Sequence, residues 1–437
     1  MRNQRELRYL VTPGNVVVSA LSLVRRARQE PAGPLLAVGT DARPGPTWPA
    51  PQQAPWPAGA TLATAGPQPQ RGALGVRGPA EHRGAAPAPG QPATPATRPR
   101  AVVLVVGETA RAANWGLSGY ARPTTPELAA LPVINFAGVS SCGTDTESSL
   151  PCMFAAVGRR QYDERRIHRS ENLLHVAARA GVGVHWRDNQ SGCKGVCDGF
   201  AQDTVAALAP ALCSDGHCLD EGLLHDLPAL LRGTGAAHAP PPPAPGAAGA
   251  AASAASPVRL VVLHQIGNHG PAYHRRVPPG ARHFQPACKS DDLRQCSIEG
   301  IVNAYDNALR YTDHVLATLI RQLQAQEIDS AVLYVSDHGE SLGEHGLFLH
   351  GMPYAIAPAV QRQVPMVMWV SPGFAAARGL DLSCLAARAG RAGHSHDQLF
   401  HTVLGLLDVQ TSAREAPLDL TDGCVRPRAT ALAPHAG

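Results

Sequence analysis

The chain has 437 residues, enough for one large α/β domain with attached segments or for two to three average domains. Charged residues make up 16% and aromatic residues 5%, with 43 Gly and 40 Pro, so much of the chain is unsuited to a packed core. The net charge of +4 is small for this length and argues against a protein that binds nucleic acid through its charge. We therefore expect no nucleic-acid partner.

Residues 1–100 form a basic segment rich in Pro, Gly and Ala. Six arginines occur within the first 28 residues, and no sustained hydrophobic period follows. We interpret this segment as an extended linker and expect the folded domain to begin at residue 101. No apolar stretch approaches the ~20 residues that a membrane helix needs, and no cleavable signal peptide is recognised.

Strands and helices alternate from residue 101 onward, which predicts an α/β fold with a mostly parallel sheet and helices on both faces. Strands are expected at 101–106, 133–136, 183–186, 259–264, 331–335 and 364–370. Helices are expected at 172–180, 221–231, 298–324 and 396–407. The low-complexity segment 238–256 lies between a helix and a strand, and we expect it to loop out.

Three of these strands are followed by side chains that commonly bind metal ions. Glu108 follows the first, His269 follows the fourth, and Asp337 and His338 follow the fifth. Because parallel strands end at one edge of a sheet, these side chains can converge there. Mixed carboxylate and imidazole donors predict a divalent cation, with zinc the first choice. The alternative is a polar loop in which Asp337 caps a helix.

Ten cysteines are present, and eight of them fall into closely spaced pairs. The pairs are Cys142/Cys152, Cys193/Cys197, Cys213/Cys218 and Cys288/Cys296. Cys384 and Cys424 remain for a fifth, longer bridge. Such short loops favour disulfides formed in an oxidising compartment. The alternative, a thiolate metal site, lacks a CxxC pair in this sequence.

Residues 140–154 read SSCGTDTESSLPCMF and contain a candidate nucleophile. A Cys142–Cys152 bridge would close a tight loop that presents the hydroxyls of Thr144 and Thr146. A hydroxyl bound to a metal loses its proton readily and can attack as an alkoxide. The alternative is a surface loop whose hydroxyls cap a helix. Composition does not choose between the two threonines.

Five motifs, in this order, resemble the lipid A phosphoethanolamine transferases of the EptA/MCR type, within the alkaline phosphatase and sulfatase superfamily. They are GETARAANWGLSGYARPTTPEL, SSCGTDTESSLPCMF, WRDNQSGCKGVCD, LHQIGNHGPAYHRR and SDHGESLGEHGLFLHGMPYAIAPAVQRQVPMVMW. The resemblance implies an alkaline phosphatase-like α/β/α sandwich, stapled by disulfides, with a sulfatase-like catalytic domain at 101–437. Members of this family begin with membrane helices, so residues 1–100 would correspond to the connector that follows them.

The resemblance also implies a reaction and a ligand set. A catalytic zinc would be held by Glu108, Thr146, Asp337 and His338, with Thr146 as the nucleophile. Thr146 would take phosphoethanolamine from phosphatidylethanolamine and pass it to a lipid A phosphate. The implied partners are therefore the phosphatidylethanolamine donor, the lipid A acceptor and the membrane surface. The family acts in the inner membrane with its catalytic domain in the periplasm.

A second group of residues is implied to contact the substrate. His269 and His350 would bind a further zinc or the substrate phosphate and protonate the leaving group, and Asn189 and Lys194 would contact the phosphoethanolamine group. A true sulfatase is disfavoured, because CGTDTESSLPC lacks a Cys or Ser followed by Pro and Arg. The alternatives are a phosphoglycerol transferase or phosphomonoesterase on the same fold, or a catalytically silent domain.

Overall fold

The computed structural model describes residues 100–233, 258–326 and 328–426, together with the backbone of short strands at 9–11, 17–19 and 76–77. A seven-stranded sheet lies at the centre of this part. Its strands are β1 (Arg100–Gly107), β2 (Ile134–Ser140), β3 (Gly183–Asp188), β4 (Ala201–Thr204), β5 (Val258–His264), β6 (Asp329–Ser336) and β7 (Gln363–Val370). The expected insert at 238–256 lies outside the described residues, as does most of the expected linker at 1–100.

The strand order is β2-β7-β6-β1-β5-β3-β4. Pairing is parallel from β6 across to β4, whereas β7 runs antiparallel to both β6 and β2. Six strands therefore end at the same edge of the sheet. The prediction of a mostly parallel α/β sheet is confirmed.

Helices pack on both faces of the sheet. They are α1 (Pro126–Ala129), α2 (Thr146–Met153), α3 (Glu164–Arg169), α4 (Leu173–Arg179), α5 (Val205–Leu208), α6 (Leu227–Arg232), α7 (Ile298–Gln324), α8 (Ala359–Arg362), α9 (Pro372–Arg378), α10 (Leu382–Ala389) and α11 (Leu399–Leu406). Val102 and Leu104 of β1 belong to the core that contains α4 and α11, and Val103 and Val105 belong to the core that contains α7. Burial on both faces explains why β1 is a continuous apolar run.

Short strand pairs lie outside the central sheet. They are Tyr9–Val11 with Val17–Ser19, Cys213–Ser214 with His217–Cys218, Ser341–Leu342 with Phe348–Leu349, and Val76–Arg77 with Gln410–Thr411. The ten cysteines form five disulfides, in the pairs that the sequence suggests: Cys142–Cys152, Cys193–Cys197, Cys213–Cys218, Cys288–Cys296 and Cys384–Cys424. Within the described part of the chain, no helix combines the length and the apolar character needed to span a bilayer.

Two elements differ from the sequence prediction. The helix expected at 221–231 is divided into a 3-10 helix at Asp220–Leu224 and α6. Asp226 lies between them with a left-handed φ of 47°, and Pro228 cannot donate the backbone hydrogen bond that a continuous helix would need. Strand β4 was not expected, because its sequence AQDT is polar and only partly buried at the edge of the sheet.

Candidate metal centre and active site

The predicted metal ligands on β1 and β6 are brought together by strand register. The two strands are parallel neighbours, and Gly107 pairs with Ser336 at their ends. The next residues are Glu108 on one strand and Asp337 and His338 on the other. The amide of Asp337 donates to the Gly107 carbonyl over 2.9 Å, which fixes the two loops against each other. All three ligand side chains are at most 1% exposed.

Thr146 joins these three side chains in one cluster. His338 Nε2 lies 3.3 Å from Glu108 Oε1 and 3.4 Å from Asp337 Oδ2. The Thr146 hydroxyl donates to Glu108 Oε2 over 3.0 Å and lies 3.4 Å from His338 Nε2. The structure thus brings together all four residues that were predicted to bind zinc.

Thr146 reaches the cluster because it begins helix α2. Asp145 caps this helix, and its Oδ1 accepts a hydrogen bond from the Ser148 amide over 3.0 Å. The hydroxyl of Thr144 instead donates to the Met352 carbonyl over 2.5 Å. The structure therefore favours Thr146 as the candidate nucleophile, a choice that composition left open.

The backbone after His338 is held tightly. His338 Nδ1 lies 2.9 Å from the Gly339 carbonyl, which leaves Nε2 to face the carboxylates. A Cβ atom at position 339 would come within 2.0 Å of the Val360 carbonyl oxygen, so only glycine fits there. This close approach anchors the imidazole against the segment that leads into β7.

The ionisable groups of the cluster perturb one another strongly. Burial alone would raise the pKa of Glu108, but the hydrogen bond and charge of His338 hold that pKa well below its ordinary value. Burial and the charge of Glu108 raise the pKa of Asp337 well above its ordinary value. Burial opposes protonation of His338, but the Asp337 and Glu108 carboxylates raise its pKa to about 10. Two buried carboxylates thus require positive charge beside them.

A divalent cation would meet this requirement. Glu108 Oε1 and Asp337 Oδ2 are buried and have no hydrogen-bond partner. One donor atom each from Glu108, Asp337 and His338 lies within 4.8 Å of the other two. Two carboxylates, one imidazole and one hydroxyl are a donor set that suits zinc. The residues present therefore fit a metal ion.

His269 and His350 lie beside this cluster. The ring centroids of His338 and His350 are 4.4 Å apart, and those of His269 and His350 are 5.4 Å apart. Burial lowers the pKa of His269 despite the charge of Glu108. His350 Nδ1 lies 3.2 Å from Oε1 of Glu340, a fully buried carboxylate. Both predicted histidines therefore lie beside the candidate metal ligands.

The loop after β3 supplies a residue that the sequence analysis missed. The Gln190 side-chain amide donates to Glu108 Oε2 over 2.8 Å. The Asn189 amide nitrogen instead contacts Asp220 Oδ1 at 2.8 Å and the Cys218 carbonyl at 3.0 Å. Gln190 is adjacent to Asn189 in WRDNQSGCKGVCD, so the motif indicated the loop but not the residue that reaches the metal ligands.

Lys194 lies at the other end of this loop. Its ammonium is 3.5 Å from the carboxylate of Glu147, the residue after Thr146, and donates to Ser191 Oγ over 3.1 Å. Glu147 is 75% exposed along its side chain, so this ion pair is open to water. The lysine is thus placed beside the first turn of α2, where a substrate phosphate bound near Thr146 would lie.

Comparison with known proteins shows the family of the chain. Residues 100–409 match the sulfatase family. The phosphoethanolamine transferase EptA of Salmonella typhimurium is 40% identical over 335 residues, which are 75% of this chain and 57% of that protein. The phosphatidylethanolamine transferase Mcr-1 of Escherichia coli is 39% identical over 322 residues, which are 71% of this chain and 54% of that protein. The chain thus spans a little more than half of these relatives.

Solved structures extend the comparison to the fold. The soluble domain of lipooligosaccharide phosphoethanolamine transferase A from Neisseria meningitidis has a TM-score of 0.69 and 43% identity, covering 76% of this chain and 95% of that one. The C-terminal periplasmic domain of phosphoethanolamine transferase EptC from Campylobacter jejuni has a TM-score of 0.63 and 37% identity, covering 75% and 95%. The chain therefore belongs to the sulfatase family and, within it, to the phosphoethanolamine transferases of the EptA and Mcr type.

Proposed function

We propose that the protein transfers phosphoethanolamine from phosphatidylethanolamine to a phosphate of lipid A, through a covalent intermediate on Thr146 at a zinc site. We further propose that it acts at the periplasmic face of a membrane. The observation that carries this proposal is the position of the Thr146 hydroxyl, 3.0 Å from Glu108 within the buried cluster of metal ligands. A nucleophile held among metal donors suits a two-step transfer between bulky lipids.

In the first half-reaction, Thr146 Oγ1 attacks the phosphorus of phosphatidylethanolamine. The new bond joins Oγ1 to phosphorus, and the bond from phosphorus to the diacylglycerol oxygen breaks. Glu108 Oε2 accepts a hydrogen bond from the Thr146 hydroxyl and so directs the oxygen before attack. A zinc ion held by Glu108, Thr146, Asp337 and His338 would lower the pKa of this hydroxyl and neutralise charge on the phosphoryl oxygens.

The departing diacylglycerol oxygen needs a proton. We assign this role to His269 or His350, since both rings lie beside the cluster. Lys194, near the first turn of α2, would pair with the phosphate charge, and Asn189 belongs to the same loop. In the second half-reaction a lipid A phosphate oxygen attacks the phosphorus, and the bond to Thr146 Oγ1 breaks. The proton that the acceptor phosphate loses passes to Oγ1 and restores the hydroxyl, and the proton that Thr146 lost in the first half-reaction replaces the one given to diacylglycerol.

Intact-protein mass spectrometry tests the covalent step. Zinc-loaded protein incubated with phosphatidylethanolamine should gain one phosphoethanolamine group, and Thr146→Ala should gain none. Thr144→Ala is the matched control, because its hydroxyl is directed to Met352 and not to the metal ligands. An adduct that persists in Thr146→Ala, or a wild-type protein that hydrolyses phosphate monoesters but forms no adduct, would contradict the proposal.

A further inference from the structure

Two arginines and a tyrosine form a cationic cluster next to the nucleophile loop. The Arg159 guanidinium lies 3.9 Å from the centre of the Tyr354 ring and 5.0 Å from that of Tyr162. The Arg362 guanidinium lies 5.5 Å from the centre of the same Tyr354 ring. Two like charges thus share one aromatic ring, although they come from segments 203 residues apart.

Neither guanidinium of this pair is in a salt bridge within the described part of the chain. Among the described residues, neither Arg159 nor Arg362 has an acidic side chain within ion-pair distance of its guanidinium. Asp397, the nearest acidic contact of Arg159, accepts from its backbone amide, and its other oxygen pairs with Arg160. Arg362 Nε is buried and has no hydrogen-bond partner. Two guanidinium groups that form no salt bridge and lie against one ring favour an anion, above all a phosphate.

The cluster is fastened to the loop that leads to Thr146. The Tyr354 hydroxyl donates to the Ser141 carbonyl over 2.9 Å, and the Arg362 carbonyl accepts from the Ser141 amide over 2.7 Å. Arg159 Nη1 donates to the Cys142 carbonyl over 3.4 Å. Cys142 precedes Thr146 by four residues, so chain length limits their separation to at most about 14 Å. An anion held by Arg159 would therefore lie close to the segment that carries the candidate nucleophile.

An apolar side chain lies on the same loop. Ile356, two residues beyond Tyr354, is 66% exposed, one of two large hydrophobic residues that are so exposed in the described part of the chain. A cationic cluster followed by an exposed apolar side chain suits an amphiphile, whose phosphate meets the arginines while its acyl region meets the apolar surface. This pairing favours a lipid phosphate over free phosphate.

We infer that Arg159, Arg362 and Tyr354 form a subsite for a phosphate of the acceptor glycolipid, separate from the donor-binding residues at the metal centre. This inference rests on the proposed function, because it assigns one of the two lipid substrates to a particular surface. Lys194 pairs with Glu147, the residue after Thr146, and the two histidines lie beside the candidate metal ligands, where the donor phosphorus would react. The arginine cluster contacts the carbonyls of Ser141 and Cys142, which precede Thr146, and we assign the second lipid to this part of the loop.

The two half-reactions can be measured separately to test this assignment. Arg159→Gln, Arg362→Gln and the double variant should form the phosphoethanolamine adduct from phosphatidylethanolamine at a rate within about twofold of wild type. Transfer from the adduct to lipid A should need at least about tenfold more acceptor for half-maximal rate in the double variant, because charged hydrogen bonds are lost. The rate at saturating acceptor should change little. Arg362→Lys, which keeps the charge, should recover part of the loss.

Arg160→Gln is the matched control, since Arg160 neighbours Arg159 but already pairs with Glu415 and Asp397. The inference would be overturned if the double variant needed no more acceptor than wild type for half-maximal transfer. It would also be overturned if the variant lost adduct formation to the same extent, because the arginines would then bind the donor. If wild-type protein forms no adduct at all, the proposed function fails instead. Sedimentation with phosphatidylcholine vesicles that contain lipid A then tests the subsite alone, and binding that is equal in wild type and the double variant would overturn it.

Discussion

The side-chain amide of Gln190 donates to Glu108 Oε2, the same carboxylate oxygen that accepts the Thr146 hydroxyl. One oxygen thus receives a donor from the loop after β3 and a donor from the first residue of α2. The backbone of Gln190 is itself held in place, because its N–H donates to Asp188 Oδ2 over 3.1 Å. Glu108 is therefore oriented by a residue outside the candidate metal-ligand set.

We expect Gln190→Ala to lower kcat about tenfold, which corresponds to the loss of one hydrogen bond to a charged group. Metal content and melting temperature should stay close to those of wild type, because the Asp188 contacts to the loop backbone remain. Steady-state transfer to lipid A measures the effect, with the exposed Gln295→Ala as control. Full activity of Gln190→Ala would show that Glu108 needs no such support.

The proposed mechanism predicts that Asp337→Asn prevents zinc binding and abolishes transfer. The substitution keeps the shape of the side chain but removes the negative charge that a bound metal ion would require. Asp337 Oδ2 is a buried oxygen that accepts no hydrogen bond in this structure, so it is available as a metal ligand. Metal analysis of the purified protein gives the zinc content per chain. Asp329→Asn, at the opposite end of β6, is the control and should retain both zinc and activity. Normal zinc content in Asp337→Asn would refute the ligand assignment.

Glu340 should act through His350. Its Oε1 lies 3.2 Å from His350 Nδ1, which fixes one ring nitrogen and leaves the other for the substrate. We expect Glu340→Ala to lower kcat about tenfold in an otherwise wild-type chain. The same substitution should cause no further loss in a His350→Ala background, since the group that it orients is absent. Additive losses in the double variant would mean that Glu340 has a separate role.

The stability of the protein should fall in mildly acidic solution because of His396. Its Nδ1 accepts from the Cys142 amide over 3.0 Å and its Nε2 donates to the Ser336 carbonyl over 2.9 Å, so the imidazole must be neutral. Burial lowers the pKa of His396 to about 4, below the usual value near 6.5. The unfolded chain therefore binds the proton first, and stability declines as the pH falls from about 6.5 to about 4.

The expected decline is up to about 3 kcal/mol in the free energy of unfolding. Urea unfolding of wild type and of His396→Gln at several pH values measures the contribution of His396. The other titrating groups are the same in both proteins, so their effects cancel in the difference. Glutamine can still donate to Ser336 but does not titrate. As the pH falls from 6.5, wild type should lose stability relative to His396→Gln. A difference that does not depend on pH would exclude His396 as the source.

The sequence predicted that the candidate metal ligands would lie together, because each follows a buried strand. Glu108, Asp337 and His338 come directly after apolar runs, and parallel strands place such positions at one edge whatever the intervening chain does. The long helix at 298–324 was also predicted with its observed bounds, because its apolar period is unbroken. An unbroken apolar period and the end of an apolar run are both local patterns, and the folded structure keeps the elements that they predict.

Other features depend on contacts that no local pattern carries. Gln190 and Asn189 are adjacent amides, and only the path of the loop decides which one reaches Glu108. Thr144 and Thr146 are equally suitable hydroxyls until the Met352 carbonyl binds one of them. The cluster at Tyr354 joins Arg159 to two residues about 200 positions later in the chain, so a reading of motifs along the chain does not reveal it.

The central position of β1 has a consequence for biosynthesis. Both of its neighbours, β5 and β6, are made more than 150 residues later, so the first strand of the domain waits with both edges unpaired. Its AVVLVV run is apolar and β-prone, the kind of segment that associates with other chains when left open. The folding nucleus must therefore join distant parts of the chain, which makes folding slow. The nascent protein consequently depends on protection of this strand until residue 336 has emerged.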